Sequence, residues 1–347
     1  MAAKQDDDGL RASYNIYLLI AQTDKHTGYD LTFIGFQKHY NKRYHDEEDD
    51  IRRKNWEDAK RRIKEFNKEY NEGKHSFEMR INSLSDWHDE EIEKHNCLHP
   101  HPHDHKVKKF EKRFRCDKRC QRQLPKEVDW RKKKEITPVR HQYHCGSCYA
   151  FGVAAVLEAY NTRLTGKMVT LSVQEIVDCS IPLGNNGCSG GTPALALQFV
   201  LENHGLVSEK AYPYWAKTMK CHKKDLARAK RYAALNTYYQ LKEKDEIYLK
   251  AVVALFGPVT ASIRVAKTAH HYGKGFLTHK DCHSYGGHLN HVVAIVGYGV
   301  KDNTPYWLIK NSWGPDWGYH GYAYIVRDGT NHCGIASKNL IPELRAR

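Results

Sequence analysis

The sequence predicts an α+β protein in which helical segments come first and strand-forming segments follow. Between Asp46 and Tyr70, apolar residues recur at alternating spacings of three and four, which is typical of an amphipathic helix. A second helix is predicted from Cys148 to about Leu164, and its almost uniformly apolar composition indicates burial. Later β-rich runs, separated by Gly, Asp and Asn, occupy residues 258–263, 291–296, 306–309 and 321–326. A helical half and a barrel-like, strand-rich half are therefore expected to meet at a cleft.

The N-terminal stretch has no clear structural pattern. Residues 1–30 are polar and aperiodic, so we expect a disordered leader. The apolar run from Tyr14 to Ala21 is short for the core of a signal peptide and lacks a basic flank, so no clear signal peptide is predicted. Three explanations stay open: a cytosolic protein, a natural start that differs from this one, or a poor signal that still works.

The excess positive charge is local. The formal net charge is +14, and the stretch from Lys106 to Lys134 holds fourteen Lys or Arg against four acidic residues, a surplus of ten. Proteins that bind nucleic acids usually present basic residues together on one folded surface. The basic residues here lie in one short segment instead, so no nucleic-acid partner is expected. A transmembrane helix needs roughly 20 consecutive apolar residues, and no stretch approaches that length. No transmembrane helix is therefore expected.

A candidate nucleophile lies in the stretch from Gln142 to Phe151. Ser147 is a good helix N-cap residue, which would place Cys148 in the first turn, where the positive end of the helix dipole favours a thiolate. The Gln142 side-chain amide could then point at an oxyanion that develops during attack on a carbonyl.

A thiolate also needs a base, and His291 opens an apolar strand 143 residues after Cys148. Such a histidine is usually structural. Here Asn311 follows in Lys-Asn-Ser-Trp-Gly, and its amide can hold the imidazole in orientation, while Trp313 can shield that hydrogen bond from water.

The stretch Cys145-Gly-Ser-Cys148-Tyr149 resembles the signature C-G-[SA]-C-[WY] of the papain and cathepsin family. Upstream, six residues fall at the spacings of the E-R-F-N-I-N pattern of cathepsin L-like propeptides, and they are Glu48, Arg52, Trp56, Ala59, Ile63 and Asn67. Trp56 replaces the Phe of the pattern and Ala59 replaces its first Asn. Asn82 and Asp86 are retained from a second segment, G-x-N-x-F-x-D. Residues 124–131 resemble the start of mature papain-like enzymes.

The resemblance implies the domain organisation and the activity. Residues 31–122 would form a mainly helical inhibitory propeptide, and residues 123–347 a peptidase domain with the papain fold. The protein would be a cysteine endopeptidase that acts through a thiolate–imidazolium pair of Cys148 and His291, with Asn311 and Gln142 in support. It would be made as an inactive zymogen and activated by propeptide removal.

Three residues beside the site depart from the family pattern: Tyr143, Tyr149 and Val292. They leave open a catalytically impaired homologue that serves as a binding or inhibitory protein. A peptide ligase or transferase with the papain fold is a second alternative. The resemblance of residues 31–122 to a cathepsin L propeptide and the absence of an occluding-loop insertion favour an endopeptidase.

The resemblance also implies the substrate-binding residues, which are Gly190, Gly191, Thr192, Pro193, Ser262, Leu289, Val292, Trp313 and Lys338. Lys338 is unusual, because related enzymes often carry a small or acidic residue at that pocket floor. A lysine there would disfavour basic substrate side chains and accept acidic ones. The alternative is a lysine whose amino group reaches solvent.

By resemblance, three disulfides are expected: Cys145–Cys188, Cys179–Cys221 and Cys282–Cys333. The pairing leaves Cys148 for chemistry. Cys97, Cys116 and Cys120 remain in the propeptide, and their odd number implies at least one free or intermolecular thiol. Their spacing resembles no standard zinc finger, so neither a metal nor another cofactor is expected.

Five histidines lie between His95 and His105, and the last four alternate with other residues, including Pro. Such a tract could bind a metal ion, but a solvated linker is the simpler interpretation, because alternating Pro keeps the segment extended. Because histidines gain charge near pH 6, repulsion with the basic run that follows could also loosen the propeptide. The basic run itself is expected to be an exposed, cleavable junction.

The partners implied by the resemblance are protein and peptide substrates, the protein's own propeptide and cystatin-type inhibitors. A monomer with a lysosomal or secreted location is expected on the same ground.

Overall fold

The computed structural model describes residues 32–96, 98, 107–222, 226–282 and 288–345. The predicted leader at 1–30, Cys97 and residues 99–105 of the histidine tract lie outside these residues. No helix of the described part is long and apolar enough to cross a membrane.

The fold is α+β, as the sequence predicted. The helices are α1 Phe33–His39, α2 Asp46–Asn71, α3 Asp89–His95, α4 Lys118–Gln123, α5 Cys148–Thr165, α6 Val173–Cys179, α7 Pro193–Glu202 and α8 Glu246–Leu255. The strands are β1 Phe77–Met79, β2 Lys108–Lys109, β3 Val128–Asp129, β4 Leu235–Gln240, β5 Val259–Ile263, β6 Tyr272–Leu277, β7 His291–Lys301, β8 Thr304–Lys310, β9 Tyr322–Val326 and β10 Lys338–Leu344.

The N-terminal unit (residues 32–98) is built on the long helix α2. Acidic residues fill its first turn, where the helix dipole favours negative charge. Its buried stripe contains Trp56, whose ring packs against those of Phe33 and Phe36 from α1 at centroid distances of 5.8 and 6.0 Å. Arg52 is also buried and its guanidinium donates to Glu91 of α3, so an ion pair ties the two helices together.

Strand β1 joins this unit to the rest of the molecule. Phe77 pairs with Gly275 of β6 in antiparallel register, and its side chain is buried in the main core. Gly275 has φ +104°, and a Cβ there would lie 2.5 Å from the Ser76 carbonyl oxygen. The close approach of the two backbones therefore requires glycine at this position.

The strands run in the order β1-β6-β9-β8-β7-β5-β10-β4-β2, and β3 pairs with β7. Strands β7 and β8 form a hairpin that turns through Asp302 and Asn303, both with positive φ, as a two-residue turn of the primed type requires. The hairpin places the start of β7 near the end of β8.

Helix α5 is buried nearly all round, and it ends at Gly166 with φ +68°. The helix packs closely against β7 at Gly152. A Cβ added to Gly152 would lie 2.7 Å from Val292 Cγ1. Because Val292 is the second residue of β7 and Gly152 lies one turn into α5, the N-terminal ends of the two elements are held side by side.

We expect Gly152→Ala to destabilise the protein, because the new methyl group would force α5 and β7 apart. Overpacking of this kind costs about 1–3 kcal/mol, which urea unfolding can measure. Val292→Ala in the same chain removes the clashing group, so the double variant should recover part of the loss. Unchanged unfolding of Gly152→Ala would contradict the close contact.

Candidate active site

Cys148 is the first residue of α5 and its side chain is fully buried. Ser147 occupies the N-cap position, but its hydroxyl does not cap the helix, contrary to the sequence-based expectation. Its φ and ψ of −100° and 18° lie outside the extended region that a side-chain cap needs. The Ser147 hydroxyl bonds to the Tyr214 hydroxyl instead, at 2.7 Å.

Cys148 is the one cysteine of the described residues that is not in a disulfide. The structure contains the pairs Cys145–Cys188, Cys179–Cys221 and Cys282–Cys333, which are those implied by the resemblance, together with a fourth, Cys116–Cys120. The fourth pair was not anticipated. Because Cys116 and Cys120 pair with each other, any unpaired thiol of the N-terminal region would have to come from Cys97.

His291 is held by Asn311. Its Nε2 lies 2.8 Å from Asn311 Oδ1, and the same oxygen accepts from the Ser312 backbone N–H at 2.8 Å. An amide oxygen can only accept, so Nε2 carries the proton and Nδ1 keeps a lone pair. Nδ1 is buried and has no hydrogen-bond partner among the described residues. It is therefore available to receive a proton.

Trp313 covers the His291–Asn311 pair. Its ring lies 4.6 Å from the His291 ring, and both side chains are fully buried. Burial lowers the pKa of His291 to about 4, although the Asn311 hydrogen bond partly offsets this effect. In this state of the protein the imidazole is therefore neutral at neutral pH.

The fold brings Cys148 and His291 to the same place. Val292, which follows His291, packs on Gly152 of α5, and Cys148 and Val292 share one buried cluster. The thiol and the imidazole thus come from the adjoining ends of a helix and a strand.

Gln142 lies between the two halves. Its Nε2 donates to the Cys145 carbonyl at 2.9 Å and its Oε1 accepts from the Ser312 hydroxyl at 2.6 Å. The amide was expected to face a developing oxyanion. In this structure Nε2 also donates to the His95 carbonyl of the N-terminal unit, at 3.1 Å.

The N-terminal unit passes directly over the site. The His95 ring stacks on Trp313 with a centroid distance of 5.7 Å. Leu98 forms a parallel bridge with Gly191, and its N–H donates to the Asn290 carbonyl at 3.3 Å. Through His95 and Leu98, the N-terminal unit therefore contacts both the helical half and the strand-rich half.

A cluster of histidines surrounds this crossing, which sequence reasoning missed. It consists of His95, His141, His144 and His270. His95 is fully buried, and neither of its ring nitrogens has a hydrogen-bond partner among the described residues. Burial lowers the pKa of His95 well below its usual range, that of His141 to about 4 and that of His270 to about 3.

The histidine cluster is also bonded to the N-terminal unit. His141 Nε2 lies 3.2 Å from the Ser83 hydroxyl, and His270 Nε2 lies 3.2 Å from Asn96 Nδ2. The His144 ring stacks on Trp87 at 4.1 Å. The members come from three separate parts of the sequence, at residue 95, at residues 141–144 and at residue 270, so no sequence pattern could have grouped them.

The residues predicted to bind substrate come from both halves of the fold. In the helical half, Gly190 has φ +115°, and a Cβ on Gly191 would lie 2.4 Å from Asn185 Oδ1. Thr192 caps α7 by accepting from the Leu195 N–H at 3.3 Å, and Pro193 begins that helix.

Three of the residues on the strand side are neighbours across strands. Ser262 of β5 is paired with Val292 of β7 and with Lys338 of β10. Leu289 lies close by, against Gly334. The Lys338 side chain is exposed, which agrees with the alternative that its amino group reaches solvent.

The family departures are accommodated locally. Tyr143 has φ +48°, a conformation that favours glycine, and its 55%-exposed ring stacks on His141 at 4.4 Å. Tyr149 is fully buried and its hydroxyl donates to the Gly187 carbonyl at 3.1 Å. Within the described residues, no group of three or more His, Cys, Asp or Glu side chains could hold a metal ion.

Comparison with known proteins shows the family of the chain. Residues 124–343 match the papain family cysteine protease domain, and residues 33–92 match the cathepsin propeptide inhibitor domain. Human cathepsin L2 (Homo sapiens) is 38% identical over 322 residues, which cover 91% of this chain and 92% of that protein. Cathepsin R of Mus musculus is 41% identical over 313 residues, covering 88% and 90%.

Solved structures of zymogens are also similar. Digestive procathepsin L2 proteinase from the Tenebrio molitor larval midgut has a TM-score of 0.80 at 30% identity, covering 90% of this chain and 98% of that one. Digestive procathepsin L 3 from the same source has a TM-score of 0.78, also at 30% identity, with 89% and 97% covered. The chain therefore belongs to the papain family of cysteine proteases and carries a cathepsin propeptide inhibitor domain.

Proposed function

We propose that this protein is a cysteine endopeptidase that hydrolyses peptide bonds through Cys148 and His291 after its propeptide has been removed. The observation that carries the proposal is the His291–Asn311 pair at 2.8 Å, packed under Trp313 beside the helix that begins at Cys148. In this arrangement a thiol has a neighbouring base whose tautomer is fixed.

The chemistry follows from the roles of the atoms. His291 Nδ1 takes the thiol proton, and Cys148 Sγ attacks the peptide carbonyl carbon. The Gln142 amide and the Cys148 backbone N–H donate to the oxyanion. The imidazolium then protonates the leaving amine through Nδ1, and water releases the acyl group from sulfur, with His291 as base.

The propeptide would inhibit the enzyme by occupying a hydrogen-bond donor that the oxyanion needs. The His95 carbonyl accepts the Gln142 hydrogen bond that an oxyanion would need, and the His95 ring covers Trp313. A substrate carbonyl could not reach Gln142 until this segment leaves. Residues 31–122 are proposed as the propeptide and 123–347 as the peptidase domain.

The family departures do not argue for an impaired enzyme. Tyr149 is satisfied by a hydrogen bond, Val292 fits against Gly152, and Tyr143 projects into solvent. None of these residues separates His291 from Asn311.

The biological setting is proposed from the relatives and the disulfides. Four disulfides suit an oxidising compartment, and relatives of this chain are cathepsins, so a lysosomal or secreted protein is proposed. Its partners would be protein and peptide substrates and cystatin-type inhibitors, and it would act as a monomer.

The substitution Gln142→Ala should lower kcat about 10²–10³-fold, because it removes one oxyanion donor, and Cys148→Ala should abolish turnover. The processed enzyme would be assayed on a fluorogenic peptide. Gln198→Ala, in a half-buried glutamine of α7 outside the site, is the matched control and should retain activity. Full activity of Cys148→Ala would overturn the assignment of the nucleophile.

Acidification should weaken propeptide docking. Well above pH 6.5 these histidines are neutral in the docked and open states, so docking is at full strength. As the pH falls from 6.5 towards 4, the open state takes up protons that His95, His141 and His270 cannot accept while buried. Each unit of downward pKa shift costs the docked state about 1.4 kcal/mol.

The measurement uses the full chain with Cys148→Ala, which prevents self-cleavage. Hydrogen exchange of residues 87–96, corrected for the intrinsic effect of pH, should accelerate as the pH is lowered. The further change His95→Gln should reduce that acceleration, whereas His39→Gln, in an exposed histidine of the same unit, should not. Equal pH dependence of the two variants would exclude His95 as a contributor.

Lys338 should have a small effect on specificity. Because its side chain is exposed, an ion pair with a substrate carboxylate is worth about 0.2–1 kcal/mol, or up to about fivefold in kcat/KM. The test is a fluorogenic peptide library in which the second residue before the scissile bond is varied. Lys338→Ala should lower kcat/KM by up to that factor for peptides with Glu at this position and leave it unchanged for peptides with Leu. Lys244→Ala, at another exposed lysine, is the control. An unchanged preference of Lys338→Ala between Glu and Leu would contradict a role of Lys338 in specificity.

A further inference from the structure

Around the junction of the two matched domains, the chain is anchored to the rest of the peptidase domain at two places. Upstream, Phe110 is buried with its ring 5.2 Å from those of Tyr239 and Phe256. The Phe114 carbonyl, four residues on, accepts from the Tyr248 hydroxyl at 3.1 Å. Downstream, the Pro125 carbonyl accepts from the Tyr298 hydroxyl at 2.9 Å, and β3 pairs with β7.

The stretch between the anchors, residues 115–124, is exposed or half-buried throughout and contains α4. Neither matched domain covers residues 115–123, since one domain ends at residue 92 and the other begins at 124. Four exposed basic residues lie in it: Arg115, Lys118, Arg119 and Arg122. These are the side chains that a Lys/Arg-specific protease recognises, so the stretch offers such a protease several bonds.

The Cys116–Cys120 disulfide closes a ring around two of them, Lys118 and Arg119. Its two Cα atoms are 5.2 Å apart. Proteases bind substrates as extended chains, and four extended residues span about 13–14 Å. The residues inside the ring therefore cannot adopt the conformation that cleavage requires while the disulfide is intact.

Without the disulfide, little would hold the stretch in place. A six-residue helix is too short to persist alone. Asp117 caps it by accepting from the Cys120 N–H at 2.8 Å, and such a cap is worth about 1 kcal/mol. Arg122 lies outside the ring, so the bond after it is far less constrained by the disulfide.

The disulfide is also placed where a small thiol can reach it. Both of its cysteines are half-buried on the exposed stretch, whereas each of the other three disulfides has at least one buried cysteine: Cys145, Cys179, Cys282 and Cys333. Access to sulfur is one factor that controls thiol–disulfide exchange.

We propose that Lys118 and Arg119 form a thiol-gated processing site for a separate Lys/Arg-specific protease, closed while Cys116–Cys120 is oxidised and open once that disulfide is reduced. Two molecules of a low-molecular-weight thiol reduce the disulfide and are themselves joined as a disulfide. The protease then hydrolyses the bond after Lys118 or Arg119 with one water. Because the cut is made by another enzyme, the proposal does not depend on the activity of Cys148.

The test uses the full chain with Cys148→Ala, and trypsin as the probe. Mass spectrometry follows the new ends after Lys118 and Arg119 relative to the end after Arg122 in the same digest. We expect this ratio to be at least tenfold higher when Cys116→Ser and Cys120→Ser are added, with no reductant present. This comparison leaves the other three disulfides intact.

The change Asp117→Ala, which removes the helix cap and keeps the disulfide, is the matched control and should leave the ratio low. Equal ratios with and without the disulfide would overturn the proposal, as would an equal rise in Asp117→Ala. In a second experiment, reduced glutathione is added and free thiols are alkylated over time. Cys116 and Cys120 should be labelled before the other paired cysteines, and simultaneous labelling would overturn the gating by a thiol.

Discussion

The contact between Gly152 and Val292 is the constraint on which the arrangement of the site depends. A helix and a strand can approach this closely only where one of them lacks a side chain, and Gly152 supplies that gap one turn after Cys148. Val292 occupies the gap directly after His291. The distance between thiol and imidazole is thereby fixed by backbone packing in the core, and the two side chains need only adopt their rotamers.

Buried polar groups also link α5 to the strand-rich half. The buried Glu158 of α5 accepts from Arg140 at 2.8 Å and from the Leu171 N–H at 2.9 Å. Lys310, the last residue of β8, donates to the Thr137 carbonyl at 2.8 Å, and Thr137 in turn donates to Glu158. The helix that carries the nucleophile is thus linked through hydrogen bonds to the strand that precedes Asn311.

The fold was largely predictable because its long elements have strong periodicity. Helix α2, predicted from Asp46 to Tyr70, spans Asp46–Asn71, and four β-rich runs became strands β5, β7, β8 and β9. The three-residue strand β1 was missed, since so short a run has no period and is defined by its partner β6. The Cys116–Cys120 pair and the histidine cluster were missed for a related reason, because each depends on how separate residues meet in space.

The histidine cluster suggests that the propeptide opposes catalysis electrostatically as well as by filling the cleft. A thiolate–imidazolium pair places a positive charge on His291, and burial under Trp313 and His95 disfavours that charge, as the lowered pKa of about 4 indicates. The departure of His95 would let water approach the imidazole and remove a ring that cannot itself hold a proton while buried. The same acidification that weakens docking would then leave His291 in an environment where its charged form is less costly, so release of the propeptide and formation of the ion pair favour each other.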